Sequence, residues 1–452
     1  MILERVARAP GSEVAVVGLG LSGAAATRLL RQAGLRVYGS DAGTTPALEK
    51  RRAELQALGA DVELGGHDLG RIGRAAVCIV SPGIAPEAPP IAAAHRASIP
   101  VFAEAALGLE AMPGVQYIAV TGTNGKSTTT ALVGHLLGAA GYRALAAGNL
   151  GTPLSEVALE PVKPEWIAVE LSSFQLHDMP QIRPTVGVLT NLQPDHLDRY
   201  PSLAEYYGDK ARLFANAGAE SLWVINADDP ESESMVRAVP GQKVRFSVHR
   251  SADGWYDGPK GELRLGAETL LPRAELGLLG DHNVANALAA ALAVRAVGVD
   301  RSVLAGGLRT FHGLPHRLEP VGEVDGVLWI NDSKATNLAS TEVAAQALDR
   351  PFVLLLGGRH KGAPYTSLGP ALKDRCRGVV AYGEAQPIIV RDLKGSGVPV
   401  VQAGTFDEVI EQARALARPG DAVLLSPACS SYDMFNNYEE RGARFREAVR
   451  SW

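Results

Sequence analysis

The feature that most constrains this chain is a glycine loop at residues 121–128, with the sequence TGTNGKST. It follows an apolar, strand-like run and precedes a stretch with helical character. Glycines let the backbone aim several N–H groups at one anion, and a helix N-terminus adds positive potential. Lys126 adds a charge, and Ser127 adds a hydroxyl that can bind Mg²⁺. The loop therefore predicts a site for nucleotide phosphates within an α/β domain.

The spacing of this loop is a shortened variant of the usual phosphate-loop pattern, which would place a glycine at Val120. The general pattern matches only over residues 125–127. The alternative is a glycine-rich turn at the start of an ordinary helix. We favour phosphate binding because strand, loop, lysine, hydroxyl and helix follow one another in the required order.

Length and composition limit the class of protein. A chain of 452 residues is too long for one hydrophobic core, so we expect three domains of ordinary size. The net charge of −5 argues against a general nucleic-acid binder and a polybasic membrane anchor. No apolar signal core opens the chain, and three scattered cysteines do not form a disulfide framework or a Cys₄ zinc site. We expect a cytoplasmic monomer with no nucleic-acid partner and no membrane span.

The first hundred residues have the pattern of a dinucleotide-binding fold. A strand at residues 14–17 leads into the turn GLGLSG, a helix is expected to about residue 33, and the next strand ends at Asp41. A later strand ends in another turn, and ligands bind at such strand ends in open α/β sheets. The candidate ligand contacts of this region are Leu21, Ser22, Asp41, Ser81, Pro82 and Gly83.

Three functions are compatible with parts of this pattern. The first loop alone suggests an NAD(P)-dependent oxidoreductase, although UDP-sugars carry a diphosphate as NAD does. A dehydrogenase has no use for a second loop that holds ATP phosphates, whereas an ATP-consuming ligase needs both. A non-catalytic nucleotide sensor is the third possibility. Such a sensor would close on ATP and would need no second metal ion.

Two side chains of the middle region, Glu170 and His196, are candidates for metal chemistry. Glu170 lies at the end of a β-rich run and offers a hard oxygen ligand to a metal beside Ser127. His196 lies in a polar loop with Asp195 and Asp198, three side chains that could bind a metal, although a lone histidine is more often a surface or capping residue. Lys210 is, from its local sequence alone, an ordinary surface lysine of a helix.

The rest of the chain is expected to continue as parallel α/β units. An Ala/Leu-rich helix is predicted from Val284, with Asp281 or Asn283 as its cap. Residues 311–317 have the composition of a hinge. Short, almost wholly apolar runs at residues 353–356, 379–382 and 422–425 are typical of a parallel sheet that is covered on both faces.

These motifs together resemble the Mur ligases of bacterial peptidoglycan synthesis, and the resemblance runs nearly from end to end. The loop at residues 122–128 is similar to the Mur-ligase loop, which folylpolyglutamate synthases share. The segments ELSSFQL at residues 170–176 and SPACSS at residues 426–431, continuing through Phe435 and Arg441-Gly442, are similar to the D-glutamate-adding branch.

The resemblance implies a fold and an activity. It implies an α/β protein with a Rossmann-like UDP-sugar-binding domain at residues 1–105, a P-loop-type ATP-binding parallel sheet at 106–312, and a Rossmann-like amino-acid-binding domain at 313–452. The implied enzyme is an ATP-dependent ligase of cell wall biogenesis. It adds D-glutamate to UDP-N-acetylmuramoyl-L-alanine through an acyl phosphate and releases ADP and phosphate.

The resemblance also implies the roles of individual residues. ATP would be bound by Gly122, Thr123, Asn124, Gly125, Lys126, Ser127, Thr128, Asn283, Asn286, His316, Arg317 and, at the ribose, Asp332. One Mg²⁺ would be bound by Ser127 and Glu170, and a second by His196 and a carbamylated Lys210. Asn149 and His196 would lie near the muramoyl substrate, and Lys334, Thr336, Lys361, Ser431 and Tyr438 would surround D-glutamate.

The chain departs from the family pattern at two places. Arg359 and His360 precede Lys361 where an acid and a glycine are expected. In the first domain, Asp41 is followed by Ala42-Gly43 where a hydroxyl and an arginine are usual. The loop geometry near Lys361 and the uridine contacts near Asp41 are therefore not fixed by the resemblance.

Overall fold

The computed structural model describes residues 2–8, 11–196 and 199–452. Its strands form three sheets of five, nine and six strands, and helices connect most of the parallel ones, which confirms the predicted α/β class. Two compact units are present: Met1–Leu276 with Ala285–Thr310, and Gly277–Val284 with Phe311–Trp452. Because the first unit holds two sheets, the expected boundary at residues 105/106 stays a prediction.

The first sheet is wholly parallel, with the order β3-β2-β1-β4-β5. Its strands are β1 (Glu13–Val17), β2 (Arg36–Asp41), β3 (Asp61–Leu64), β4 (Val77–Val80) and β5 (Val101–Ala103). The helices of this region are α1 (Ile2–Ala7), α2 (Leu21–Gln32), α3 (Pro46–Ala57), α4 (Leu69–Ile72), α5 (Pro89–Arg96) and α6 (Glu104–Glu110). The predicted strand, glycine turn, helix and strand ending at Asp41 are all present.

The second sheet has the order β14-β13-β12-β11-β10-β9-β6-β8-β7. Its strands are β6 (Gln116–Thr121), β7 (Ala144–Gly148), β8 (Trp166–Glu170), β9 (Val186–Leu189), β10 (Leu222–Asn226), β11 (Gln242–Ser247), β12 (Gly254–Asp257), β13 (Glu262–Leu265) and β14 (Glu268–Pro272). The helices are α7 (Lys126–Ala139), α8 (Leu154–Leu159), α9 (Ser173–His177), α10 (Leu203–Ala211), α11 (Pro230–Val236), α12 (Asp281–Arg295) and α13 (Arg301–Thr310).

Two features of this region differ from the sequence prediction. Strands β12, β13 and β14 are antiparallel, because Gly266-Ala267 joins β13 to β14 in a loop too short for a crossover helix. Helix α12 begins at Asp281 and not at Val284, directly after Gly280, whose φ is +79°. Asn283 therefore lies inside the helix, and its side-chain amide donates to the Leu279 carbonyl at 2.8 Å instead of capping.

The third sheet has the order β15-β16-β20-β17-β18-β19. Its strands are β15 (Glu319–Val324), β16 (Val327–Asn331), β17 (Phe352–Gly357), β18 (Cys376–Tyr382), β19 (Val400–Ala403) and β20 (Ala422–Leu425). The helices are α14 (Leu338–Gln346), α15 (Gly369–Leu372), α16 (Gln386–Asp392), α17 (Phe406–Leu416) and α18 (Tyr438–Arg450).

The apolar runs of the third region are buried as predicted. Every residue of β17 and β20 is buried, because helices cover both faces of this sheet. Strands β15 and β16 form an antiparallel hairpin through Asp325-Gly326, which both have positive φ, as a tight two-residue hairpin turn requires. No helix in the described part of the chain is long and apolar enough to cross a membrane.

Close packing joins the first and second sheets inside the first unit. Helix α6 approaches α8 at Gly108, where an added Cβ would lie 2.5 Å from both the carbonyl carbon and the Cβ of Leu154. In the same helix Glu104 is buried, and burial raises its pKa to about 7. The contact between Gly108 and Leu154 leaves no room for a side chain at residue 108.

We expect Gly108→Ala to lower the free energy of unfolding by about 1–3 kcal/mol, because the new methyl group meets backbone that cannot move aside. The matched control is Gly138→Ala in α7, where an added Cβ has no atom within 4 Å and helix propensity favours alanine by up to about 1 kcal/mol. Urea unfolding measures both variants. Equal stability of the two would contradict the close-contact account.

Candidate active site

The phosphate loop lies between the end of β6 and the start of α7, and two of its glycines cannot be replaced. Gly122 has φ +145°, and an added Cβ would lie 2.0 Å from Thr190 Oγ1. Gly125 has φ +80°, and its Cβ would lie 2.3 Å from Asn286 Oδ1. Only glycine adopts these conformations in so little space. Lys126 is the first residue of helix α7, directly after Gly125.

The loop is held in shape by the segment that follows β9. The backbone N–H of Thr123 donates to the Asn191 carbonyl at 2.9 Å, and that of Asn124 donates to Asn191 Oδ1 at 2.9 Å. Thr190 Oγ1 donates to the Asn124 carbonyl at 2.6 Å. These bonds fix the loop before any ligand binds, so little ordering is needed on binding.

Two lysines converge on the same loop. Lys126 Nζ donates to the carbonyls of Gly122 at 3.0 Å and Thr123 at 2.8 Å. Lys210 Nζ donates to the Gly122 carbonyl at 2.6 Å and lies 4.7 Å from the centre of the Tyr206 ring. Lys210 is 1% exposed, so the surface position suggested by its local sequence is wrong. Burial, and then the charge of Lys126, lower the pKa of Lys210 well below its usual range.

Glu170 places a carboxylate at the end of β8 as predicted. Its Oε1 accepts a hydrogen bond from Asn149 Nδ2 at 2.8 Å, and Gly148, with φ +102°, brings that loop against the Glu170 carbonyl. Its Oε2 is buried and has no hydrogen-bond partner among the residues that the structure describes. A buried carboxylate oxygen in this state is costly unless a cation or donor meets it.

The oxygen donors of this region fit a hard cation. Mg²⁺ takes carboxylate and hydroxyl oxygens, and Glu170 Oε2 and the buried Ser127 are of these types. Among the described residues, no three His, Cys, Asp or Glu side chains are grouped to hold a metal. The metal ligands that the family resemblance implies include only two residues of these types, Glu170 and His196. The other two expected ligands are the Ser127 hydroxyl and Lys210.

His196 stands in a strained loop beside aromatic rings. Its φ is +54°, which is uncommon for a residue with a side chain. Its Nε2 lies 3.7 Å from Asp195 Oδ2, and its ring packs edge-on against Phe174 at 5.3 Å between centroids. Asp198, the third polar residue expected here, lies outside the described residues. The charge of Asp195 raises the pKa of Lys210 and so opposes part of the lowering by burial, which shows that this loop lies close enough to interact with the lysine.

The glycine turn of the first sheet is built around Asp41. Both of its carboxylate oxygens accept backbone N–H groups, from Leu19 at 2.7 Å and from Gly43 at 2.8 Å. An added Cβ at Gly23 would lie 1.8 Å from the Gly18 carbonyl oxygen, so α2 packs directly on the turn. Asp41 therefore holds the loop, and the unusual Gly43 takes part in doing so.

The remaining candidates of this region lie around the same turn. Ser81 is buried, and its Oγ donates to the Gly18 carbonyl at 2.8 Å. Ser22 and Pro82 are half-buried, and Gly83 and Leu21 are exposed. The structure thus brings the first-domain candidates to the strand ends that the sequence predicted.

In the second unit, His316 is buried in a left-handed conformation, with φ +65°. Its Nδ1 lies 3.0 Å from Asn331 Nδ2, and its backbone N–H donates to Glu319 Oε2 at 2.8 Å. Burial lowers the pKa of His316. Gly442 of α18 packs against the imidazole so closely that an added Cβ would lie 2.1 Å from Nδ1.

Asp332 follows β16 and is buried. Its Oδ1 accepts the backbone N–H of Leu318 at 3.1 Å, and its Oδ2 accepts Ser426 Oγ–H at 2.7 Å. Burial raises the pKa of Asp332 to about 7, while these hydrogen bonds and the charge of Arg317 oppose the rise. The carboxylate keeps lone pairs for a further donor.

The expected amino-acid contacts gather after β16, β17 and β20. Lys334 Nζ lies 3.2 Å from the Tyr438 hydroxyl. Lys361 is exposed, pairs with no carboxylate in the described ranges, and has a pKa that is lowered by partial desolvation and by the charge of Arg441. Thr336 is half-buried in the loop before α14, and Ser431 is buried.

Arg441 is a buried residue beside the expected amino-acid contacts, and the motif that contains it does not by itself predict a role for it. It is fully buried, and it donates from Nε to Ser333 Oγ at 2.9 Å, from Nη2 to the Ser333 carbonyl at 2.8 Å and from Nη1 to the Cys429 carbonyl at 3.2 Å. No carboxylate pairs with it among the described residues. The sequence signal is its spacing from Phe445 and Val449, which puts it on the apolar stripe of α18.

Comparison with known proteins agrees with this geometry. The chain matches three family models: a Mur ligase MurD-like N-terminal domain at residues 12–103, a Mur ligase middle domain at 120–294, and a Mur ligase glutamate ligase domain at 316–429. A solved MurC of Thermotoga maritima superposes with a TM-score of 0.63 at 20% identity, covering 97% of this chain and 99% of that one. A MurF of Acinetobacter baumannii gives 0.63 at 18% identity, covering 91% of each.

The chain belongs to the Mur ligase family. Full-length relatives named UDP-N-acetylmuramoylalanine--D-glutamate ligase include those of Pelotomaculum thermopropionicum, 40% identical and covering 97% of both chains, and Myxococcus xanthus, 41% identical and covering 97% of this chain and 98% of the relative. The relative from Anaeromyxobacter dehalogenans is 43% identical, and the match covers 96% of this chain and 97% of the relative. The oxidoreductase alternative suggested by the first loop is therefore not supported.

We expect the stability of the protein to fall as pH rises from about 5 to 8, in part through Asp332. A carboxyl whose pKa is raised in the folded state binds more protons there than in the unfolded chain, so raising the pH favours unfolding. Asp332→Asn keeps an acceptor for Leu318 and stays neutral.

Urea unfolding at pH 5 and pH 8 tests this expectation. The wild-type loss of unfolding free energy should exceed that of Asp332→Asn by on the order of 2 kcal/mol. Parallel pH dependences of the two proteins would show that Asp332 ionises normally.

Proposed function

We propose that this protein is an ATP-dependent ligase that joins D-glutamate to UDP-N-acetylmuramoyl-L-alanine and releases ADP and phosphate during peptidoglycan precursor synthesis. The observation that carries the proposal is the full-length identity of about 40% to relatives with that name. The site supports it with a rigid phosphate loop in the first unit and two lysines with a buried arginine around the amino-acid position in the second.

The proposed reaction has two steps. An oxygen of the muramoyl-L-alanine carboxylate forms a bond to the γ-phosphorus of ATP as the bond to ADP breaks. The D-glutamate amine then attacks the acyl carbon, and phosphate leaves with the acyl oxygen. Lys126 and the loop N–H groups stabilise the charge on the transferring phosphoryl group, so catalysis rests on positioning and electrostatics.

The finer proposal is that two Mg²⁺ ions take part. Ser127 and Glu170 would hold one, which the orphaned Glu170 Oε2 supports, and His196 and Lys210 the other. Bound Mg²⁺ would neutralise phosphate charge. Lys210 would act as a carbamate, and its lowered pKa supports this because carbon dioxide adds only to a neutral amine. Asn149 would orient Glu170 through its 2.8 Å hydrogen bond.

The remaining site residues are proposed in the roles that the family implies. The turn held by Asp41 would receive the UDP diphosphate. Asn286, whose Oδ1 accepts from Thr129 at 3.3 Å, braces the phosphate loop, and Asn283, His316, Arg317 and Asp332 would contact the nucleotide. Lys334, Thr336, Lys361 and Ser431 would receive the two carboxylates of D-glutamate, with Tyr438 beside them.

We expect D-glutamate to be the preferred acceptor over D-glutamine, L-glutamate and meso-diaminopimelate. A bound amino acid would cover the lysine ammonium groups, so D-glutamine, which lacks one carboxylate, would leave a cation unpaired at a cost on the order of 2–5 kcal/mol. The preference over L-glutamate and meso-diaminopimelate, which carry both carboxylates, follows from the family resemblance. The assay incubates UDP-N-acetylmuramoyl-L-alanine, ATP and one amino acid, and measures product mass and ADP.

Two results of that assay would contradict the proposal. Absence of any ATP-dependent product would reject the ligase assignment, and preferred use of meso-diaminopimelate would reject the D-glutamate branch. Lys126→Ala is the matched control. It should reduce turnover roughly a hundredfold or more, because it removes a preorganised charge from the phosphoryl transfer.

We expect Lys210→Ala to be nearly inactive and to regain part of its turnover when a small carboxylate such as formate is added. The truncated side chain leaves space in which a free carboxylate can replace the carbamate. The control is Lys260→Ala, which changes a lysine with a largely exposed side chain and should remain active. Full activity of Lys210→Ala without any additive would remove the lysine from the metal site.

A further inference from the structure

The two residues that depart from the family pattern, Arg359 and His360, have defined partners in the structure. Arg359 pairs with Glu384 on the exposed side, with Nε and Nη2 at 3.1 and 3.2 Å from its carboxylate oxygens. Its backbone N–H donates to the Ser430 carbonyl at 2.8 Å, and the two residues form an antiparallel bridge. The loop before Lys361 is thus attached directly to the segment after β20.

Two glycines make this attachment possible. Gly357 has φ +155°, and its backbone N–H donates to the Pro427 carbonyl at 3.1 Å. Gly358 has φ +127°, and an added Cβ would lie 2.3 Å from the Ser430 carbonyl oxygen. The backbone of residues 357–359 therefore lies against residues 427–430 with no intervening side chain.

A chain of side-chain hydrogen bonds runs beneath this attachment. His360 Nδ1 lies 3.1 Å from the Tyr365 hydroxyl, and that hydroxyl lies 2.9 Å from Cys429 Sγ. Tyr365 and Cys429 are fully buried, and the backbone N–H of Tyr365 donates to Asp392 Oδ2 at 3.1 Å. We call these three side chains, His360, Tyr365 and Cys429, the relay.

The relay can satisfy its hydrogen bonds in either direction. When His360 Nδ1 accepts, the Tyr365 hydroxyl donates to it and the Cys429 thiol donates to the Tyr365 oxygen. When Nδ1 carries a proton, both bonds reverse. Burial raises the pKa of the Cys429 thiol, so it stays protonated and able to donate. Breaking one link leaves a buried polar atom unsatisfied, which the native structure avoids.

Lys361 follows the relay directly in sequence and shares its surroundings. The Lys361 ammonium and Cys429 act electrostatically on one another, and Arg441, which donates to the Cys429 carbonyl at 3.2 Å, acts on both. One end of the relay adjoins Lys361, and the other lies two residues before Ser431. Lys361 follows β17 and Ser431 follows β20, so two of the proposed glutamate contacts lie at the two ends of the relay.

We propose that His360, Tyr365 and Cys429 are positioning residues for D-glutamate, because they fix the spacing between the loop of Lys361 and the segment of Ser431. The proposal rests on the proposed function of the amino-acid site. The relay touches no substrate and takes no part in phosphoryl transfer. Its loss therefore weakens the binding of the amino acid and spares the other two substrates.

The test is steady-state kinetics of the full-length enzyme with each substrate varied in turn. Tyr365→Phe keeps the ring and removes the hydroxyl. We expect the KM for D-glutamate to rise about three- to tenfold, as for loss of one buried hydrogen bond, while kcat and the KM values for ATP and the UDP-sugar stay within twofold. Cys429→Ser keeps a donor and should stay closer to wild type than Cys429→Ala.

A double-mutant cycle separates the relay from general damage. Tyr365→Phe combined with Cys429→Ala should raise the KM for D-glutamate no further than the larger single change, since both break the same link. His360→Ala, at the less buried end, gives a second variant if a core change fails to fold. Tyr142→Phe, in the first unit, is the control for loss of a phenolic hydroxyl and should leave all three KM values unchanged.

The outcomes distinguish this proposal from the one on which it rests. A wild-type enzyme that forms no product would reject the ligase assignment itself. An active wild type, with Tyr365→Phe and His360→Ala both within twofold of its KM for D-glutamate, would overturn the relay. Equal changes in all three KM values, or fully additive effects in the cycle, would overturn it as well.

Discussion

The hydrogen bond from the buried Lys210 ammonium to the Gly122 carbonyl is the interaction on which the phosphate site most depends. It ties α10 to the loop that follows β6, and it draws a second positive charge beside Lys126. Two cations this close repel one another, and burial adds to the cost. Such an arrangement persists only where neighbouring structure enforces it, so the natural complement of the two lysines is the negative charge that nucleotide phosphates would supply.

A second constraint is the close approach of the backbone to neighbouring side chains, which glycines make possible in both units. Gly122 and Gly125 bring the phosphate loop against Thr190 and Asn286, and Gly442 brings α18 against His316. In each case a methyl group would lie about 2 Å from the neighbouring atom. The positions of the functional side chains thus follow from close backbone contacts.

The sequence predicts features that rest on local patterns better than features that rest on contacts between distant residues, for physical reasons. The phosphate loop, the turn ending at Asp41 and the strand end at Glu170 follow from local patterns whose chemistry is contained in a few adjacent residues. The burial of Lys210 depends on contact with a loop 88 residues away, and local polarity predicts the opposite. Arg441 lies on an apolar stripe that predicts core packing, and the antiparallel strands after β11 depend on a turn of two residues.

Each unit holds a buried charged group: a carboxylate in the first unit and a guanidinium in the second. The first holds a buried carboxylate oxygen of Glu170 that lacks a donor, and the second holds the buried guanidinium of Arg441, which meets only hydroxyl and carbonyl oxygens among the described residues. A buried charge is costly unless a charge of opposite sign or hydrogen bonds meet it. Glu170 is suited to a cation, whereas the buried Arg441 guanidinium is satisfied by the Ser333 hydroxyl and by the carbonyls of Ser333 and Cys429. Under the proposed function, a chain of net charge −5 would bind metal and dicarboxylate through local charge, and its overall charge would decide neither site.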